Sequence, residues 1–187
     1  MNHYPPATTA GNAVDAVNSR AFLQQAIDHY PRLAAFSFTL VLPYRDTLAD
    51  YNALILRFHT DVWQRIGEYS RQRQQARQNS PPTVLRWLWE TASEPECRIV
   101  ILMNLDTLAV GSSAQSVENA IQAMSGLLRE AWLTVCGAEH NGVANITPLV
   151  ISRAGCGGFT APFNQLKARV QEMQEPVTTA RTGVICT

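Results

Sequence analysis

The stretch Arg98-Ile99-Val100-Ile101-Leu102-Met103 does most to limit what this chain can become. A near-continuous apolar run of that length marks a central strand covered on both sides. Just before it, residues Thr83 to Glu90 alternate, with Leu85, Trp87 and Trp89 on one face. The short link from Thr91 to Pro95 predicts that these two strands form an antiparallel hairpin.

The rest of the chain can be arranged around that hairpin. Ala35 to Leu42 alternates Phe36, Phe38, Leu40 and Leu42 against Ser37 and Thr39, the pattern of a half-buried strand closed by Pro43. A long amphipathic helix is predicted from Thr47, with Tyr51, Leu54, Ile55, Phe58, Val62, Ile66 and Tyr69 at three- and four-residue steps. Its tail, residues 71–78, shows no apolar face and is expected to project into solvent. A second such helix spans Ser116 to Cys136 and stops at Gly137. Ile146 to Ser152 reads as another strand, Thr160 to Glu175 as a third helix, and Val184 to Cys186 as a short last strand. Residues 1–18 read as a flexible leader, with Ser19 capping a short helix that ends at Pro31. Residues 19–187 then form one domain.

Read in order, the core is β-α-β-β-α-β. This predicts an α+β fold of the ferredoxin-like type, an antiparallel sheet with both helices on one face, plus N-terminal and C-terminal helices. The other sheet face is expected to be free for function or for a partner.

Composition narrows the function. Hydrophobic residues make up 46% of the 187 and charged residues 16%, a globular balance. No apolar run is long enough to span a bilayer, and the polar start carries no secretion signal, so the expectation is a cytoplasmic protein with no membrane partner. The four cysteines (Cys97, Cys136, Cys156, Cys186) form no C-x-x-C pair, which argues for reduced thiols rather than a zinc site or a disulfide scaffold. Fifteen basic and fifteen acidic residues cancel, which speaks against a strongly electrostatic nucleic-acid binder. All the basic residues but Lys167 are arginines, whose planar fork suits phosphate and carboxylate.

Several stretches resemble the inovirus and prophage replication-initiation proteins, a branch of the HUH endonucleases that start rolling-circle replication. They are Tyr30-Pro31-Arg32, Leu42-Pro43, Leu85 to Glu90, Pro95 to Asp106, Glu130-Ala131-Trp132 and Arg181-Thr182-Gly183, spread over residues 20–187. The resemblance implies a ferredoxin-like frame and DNA as partner. It also implies two histidines on one face of the strand after the hairpin, binding a divalent metal, and a tyrosine nucleophile on the helix near the C-terminus.

This chain departs from both requirements. Aligned on Pro95 and Asn104, the metal positions hold Glu96, Cys97 and Arg98. Arg98 has no lone pair to offer a cation, and Glu96 and Arg98, on one face by alternation, are expected to pair with each other. The helix from Thr160 to Glu175 holds no tyrosine, and the last tyrosine of the chain is Tyr69. Nicking is therefore not expected, and no catalytic residue, metal or cofactor is assigned. His3, His29, His59 and His140 stand too far apart in sequence to suggest a metal site. Gly155-Cys156-Gly157-Gly158 lacks the lysine of a phosphate-binding loop.

What remains is binding. Arg71, Arg73, Arg77 and Arg86 are the candidate contacts to single-stranded or origin DNA. Trp87 and Trp89 are either core or, if exposed, the centre of an interface. The expectation is a prophage or mobile-element protein that binds DNA or a protein partner without cutting. The alternative is a protein-interaction or self-assembling module with no nucleic-acid role.

Overall fold

A computed structural model describes residues 10–90, 95–137, 142–154, 157–173 and 176–182, with side chains left out at 10–17 and 179–182. The elements run α1 (Ala10–His29), β1 (Arg32–Val41), α2 (Leu48–Gln75), β2 (Val84–Glu90), β3 (Glu96–Asn104), α3 (Leu105–Leu108), α4 (Ala114–Cys136), β4 (Val143–Ser152), α5 (Thr160–Gln171) and β5 (Pro176–Thr182). The architecture is α+β: among the described residues, five helices and one five-stranded sheet in the order β4-β1-β3-β2-β5, every neighbouring pair antiparallel.

Local chemistry sets the helix ends. Thr47 caps α2 by accepting the Asp50 N–H on its hydroxyl, and Ser113 caps α4 by accepting the Ser116 N–H. Gly137 ends α4 at φ 86°, a conformation that favours glycine. The predicted hairpin between β2 and β3 is present, with Trp89 opposite Ile99 and Arg86 opposite Leu102.

The run Ile99–Met103 divides strictly between two cores. Ile99, Ile101 and Met103 join Phe36, Phe38, Trp87 and Trp89 beneath α2 and α4. Val100 and Leu102 join Leu33, Ala35, Leu88 and Ile151 beneath α1 and α5. The expectation of helices on one face and an open second face is thus corrected. The second face presents its own apolar residues, and Leu23, Ala26 and Ile27 of α1 with Leu166 and Val170 of α5 cover them.

Two boundaries also move. The helix expected from Ser19 begins at Ala10, so residues 10–18 are not a separate leader, and Ser19 is buried within the helix. The last described strand is β5 at residues 176–182, paired to β2; the strand expected at 184–186 lies outside the described residues. None of the helices among the described residues is long and apolar enough to cross a membrane.

Candidate functional site

The cover over the second face is partial. In the strand register, Leu88 and Val100 with Ser37 and Thr147 form one cross-strand row, and Arg98 beside Thr39 forms the next. The first row contains the last apolar residues that α1 and α5 cover. Beyond it the same face carries Thr39, Val41, Glu90, Glu96 and Arg98, none of them buried. This end of the sheet, which no described helix covers, is the candidate site.

Arg98 is its organising residue. Its Nε lies 2.8 Å from Glu90 Oε1, across the hairpin, and the two side chains are 42% and 12% exposed. The expected pairing of Glu96 with Arg98 is corrected here. Glu96 is two residues along the same strand, whereas Glu90 stands directly across from Arg98, one step beyond the Trp89–Ile99 pair, at the closest cross-strand distance. The contact runs through Nε, and the Arg98 side chain stays part-exposed beside it. Ser37, one row deeper, buries an Oγ that meets no hydrogen-bond partner among the described residues. At the same end of the molecule Tyr44 is 81% exposed and Leu48 52%.

Cys97, the middle of the three aligned positions, turns to the opposite face and is fully buried. Burial pushes its thiol up to about 12, the nearby Glu90 carboxylate adds to the rise, and a hydrogen bond with the Glu90 backbone opposes it. It is a core residue, not a ligand or nucleophile. Among the described residues no three His, Cys, Asp or Glu side chains gather as a metal site.

The four arginines proposed as DNA contacts do not form one surface. Arg73 is buried: Nη1 donates to the Thr107 carbonyl at 2.8 Å and Nη2 to the Asn79 carbonyl at 2.7 Å. Arg86 is buried on the second face and donates to His29 Nδ1 at 3.1 Å. These two are withdrawn as surface contacts, because a guanidinium under cover cannot meet a passing backbone phosphate. Arg71 is exposed but forked onto Glu68 at 2.9 and 2.6 Å, which lowers the Glu68 carboxyl and raises the Arg71 guanidinium. Arg77 is exposed at the end of α2, with φ at 57°. The tail of α2 therefore does not simply project into solvent, since Arg73 ties it down.

Trp87 and Trp89 are core, which removes them as an interface. The ring of His59, fully buried in α2, lies 3.5 Å from that of Trp87 and 4.9 Å from that of Trp89. Phe58 meets Phe38, Trp87 and Trp132 edge to face. A shallow groove of about 370 Å³ runs between α2 and α4, but Asp61 and Thr134 in its lining are already engaged by Arg65, at 2.5 Å and 2.7 Å, and Arg65 also meets Glu130 at 3.2 Å. His3, His140, Cys156 and Cys186 lie outside the described residues.

Sequence reasoning marked Arg98 as a lost ligand and missed that it pairs with Glu90 across the hairpin at this end of the sheet. The signal was present: Glu90 and Arg98 flank the hairpin symmetrically, opposite charges on facing strands.

No curated protein matches the chain, and no solved structure matches it. A family model matches residues 9–146, which takes in everything from α1 to the start of β4. The chain belongs to the family described as Uncharacterised conserved protein UCP030791.

Proposed function

We propose that this protein is a prophage or mobile-element product on a replication-initiator-like frame that binds single-stranded DNA without nicking it, in the cytoplasm. The observation that carries the reading is Arg98: a guanidinium held through Nε by Glu90 at 2.8 Å and 42% exposed, on an end of the sheet that no described helix covers. A pre-positioned guanidinium of this kind suits a phosphate oxygen pair. The exposed Tyr44 ring nearby offers a base a stacking surface. Support for a ferredoxin-like frame comes from the order β4-β1-β3-β2 with α2 and α4 on one face; β5, α1 and α5 are then additions. Support for the loss of nicking comes from the sequence, where Arg98 occupies one metal position and no tyrosine follows Tyr69. Free thiols at Cys97 and Cys136 suit a reducing compartment.

Glu90 and Glu96 dilute the charge of the patch, so affinity should be modest, in the range of about 10⁻⁴ to 10⁻⁶ M typical of sequence-independent binding. Fluorescence anisotropy with labelled oligonucleotides tests this, beside gel analysis of the same strands with Mg²⁺ and Mn²⁺. The expected result is binding that weakens with salt, a loss of several-fold in Arg98→Gln, little change in Arg73→Lys, and intact strands. Binding indifferent to salt and to Arg98→Gln overturns the DNA reading, and cut strands overturn the claim of lost nicking.

A second reading, a protein-interaction module, is favoured by the exposed apolar side chains Val41, Tyr44 and Leu48 at the same end. It predicts concentration-dependent sedimentation that a double Tyr44→Ser, Leu48→Ser variant abolishes.

A further inference from the structure

The second sheet face holds a buried cation that has no counter-charge among the described residues. Arg86 sits on β2 beneath the end of α1 and is 8% exposed. Its one hydrogen bond among the described residues runs from Nη2 to His29 Nδ1, at 3.1 Å. A guanidinium only donates, so the imidazole accepts and is neutral in this arrangement. Nη1 is buried and meets no acceptor among the described residues. Of the ion pairs among the described residues, none includes Arg86.

Burying a cation without a partner costs several kcal/mol, and arginine cannot escape by giving up its proton. The C-terminal end of α1 supplies only about half a negative charge in compensation. A binding task would explain why the position is not apolar like its neighbours Leu88 and Leu102. The surroundings fit one. His29, which screens Arg86 from solvent, is itself exposed and is held by a stack on Tyr30 at 4.4 Å. Tyr30 Oη accepts the Val84 N–H at 2.6 Å and donates its own proton to no described acceptor.

We propose that Arg86 is the floor of an oxyanion site gated by His29, and that its ligand is a phosphate group. When the imidazole swings outward, Nη1 and Nη2 together present the bidentate fork that phosphate oxygens take. The Tyr30 hydroxyl supplies a further donor at the rim. This site lies under α1, apart from the open end of the sheet around Arg98, and it stands whether or not the chain binds DNA.

The test is calorimetry and thermal unfolding of the full chain with inorganic phosphate, against chloride at equal ionic strength. The expected result is saturable binding of one phosphate and a melting point several degrees higher than in chloride. Both should be retained in Arg129→Gln, at an exposed arginine of α4, and absent in Arg86→Met, which removes the fork while keeping an apolar stem. Tyr30→Phe keeps the ring and should weaken phosphate binding roughly 3- to 10-fold, the loss of one hydrogen bond. Dinucleotides with and without a 5′-phosphate identify the source. Binding of the phosphorylated one alone assigns a nucleic-acid end; binding of inorganic phosphate but of neither dinucleotide assigns a free anion. Equal melting points in phosphate and chloride, or a phosphate effect that survives Arg86→Met, overturns the proposal.

Discussion

Arg73 and Cys97 show how a residue type chosen for its chemistry can serve packing alone. Arg73 bridges two loop carbonyls, Thr107 and Asn79, and so fastens the end of α2 to the α3 turn. Ser80 donates to the same Thr107 carbonyl at 2.8 Å, which makes that oxygen a shared anchor. Arg73→Ala strips both carbonyls of a charged donor, and we expect a loss of about 2–4 kcal/mol in urea unfolding with DNA affinity unchanged. Unchanged stability would refute the anchoring role. Cys97 makes a prediction in pH. Its folded pKa is raised from 9.0 to about 12, so above pH 9 the unfolded chain gives up a proton that the folded chain keeps. Stability is therefore fully present below about pH 9 and is lost as pH rises toward 12, by up to about 1.4 kcal/mol per pH unit from this group. Cys97→Ala should fall less steeply over that window, and identical slopes in the two proteins would count against a buried, protonated thiol.

At the scale of elements, the four long strands and two large helices were readable because their periods are clean. Tyr51 to Tyr69 marks one face of α2, and Leu85, Trp87 and Trp89 mark one face of β2. What escaped was governed by contacts distant in sequence. Pro176 reads as a helix stop, yet it opens β5, whose Val177-Thr178-Thr179 run is β-branched and pairs with β2. The candidate site divides in the same way. That residues 96 and 98 share a face was legible from alternation alone; that α1 and α5 leave that end of the face uncovered was not, because it depends on helix placement. Gly142, in the approach to β4, is another such contact. Its carbonyl accepts the Val41 N–H at 2.7 Å, and a Cβ there would collide with Trp132 Nε1 and come within 2.8 Å of the Val41 carbonyl. Both neighbours are held, the indole by the core and the carbonyl by the strand. Gly142→Ala should thus cost about 1–3 kcal/mol by overpacking, measured as a lowered urea midpoint, whereas Gly126→Ala, open around its Cβ on α4, should be neutral or stabilising.

At the scale of the whole molecule, one sheet is the shared wall of two cores. The strands β1, β2 and β3 contribute to both, residue by residue in alternation, so neither helical layer can leave without exposing the back of the other's support. All the tryptophans, Trp63, Trp87, Trp89 and Trp132, belong to the α2–α4 side. Their fluorescence reports that side, while far-ultraviolet circular dichroism reports helices on both. This asymmetry makes coupling measurable. Leu166 of α5 is fully buried on the opposite side, and Leu166→Ala should destabilise by about 2–5 kcal/mol through the cavity it leaves. If the sheet transmits that loss, fluorescence and dichroism midpoints should fall together, because a single cooperative unit has one transition whatever the probe. A dichroism curve that breaks into two steps, with the fluorescence midpoint unmoved, would mean instead that α1 and α5 form a separable cover. Arg86, which donates to His29 at the end of α1, would then be reached by opening that cover as a whole rather than by the swing of one imidazole.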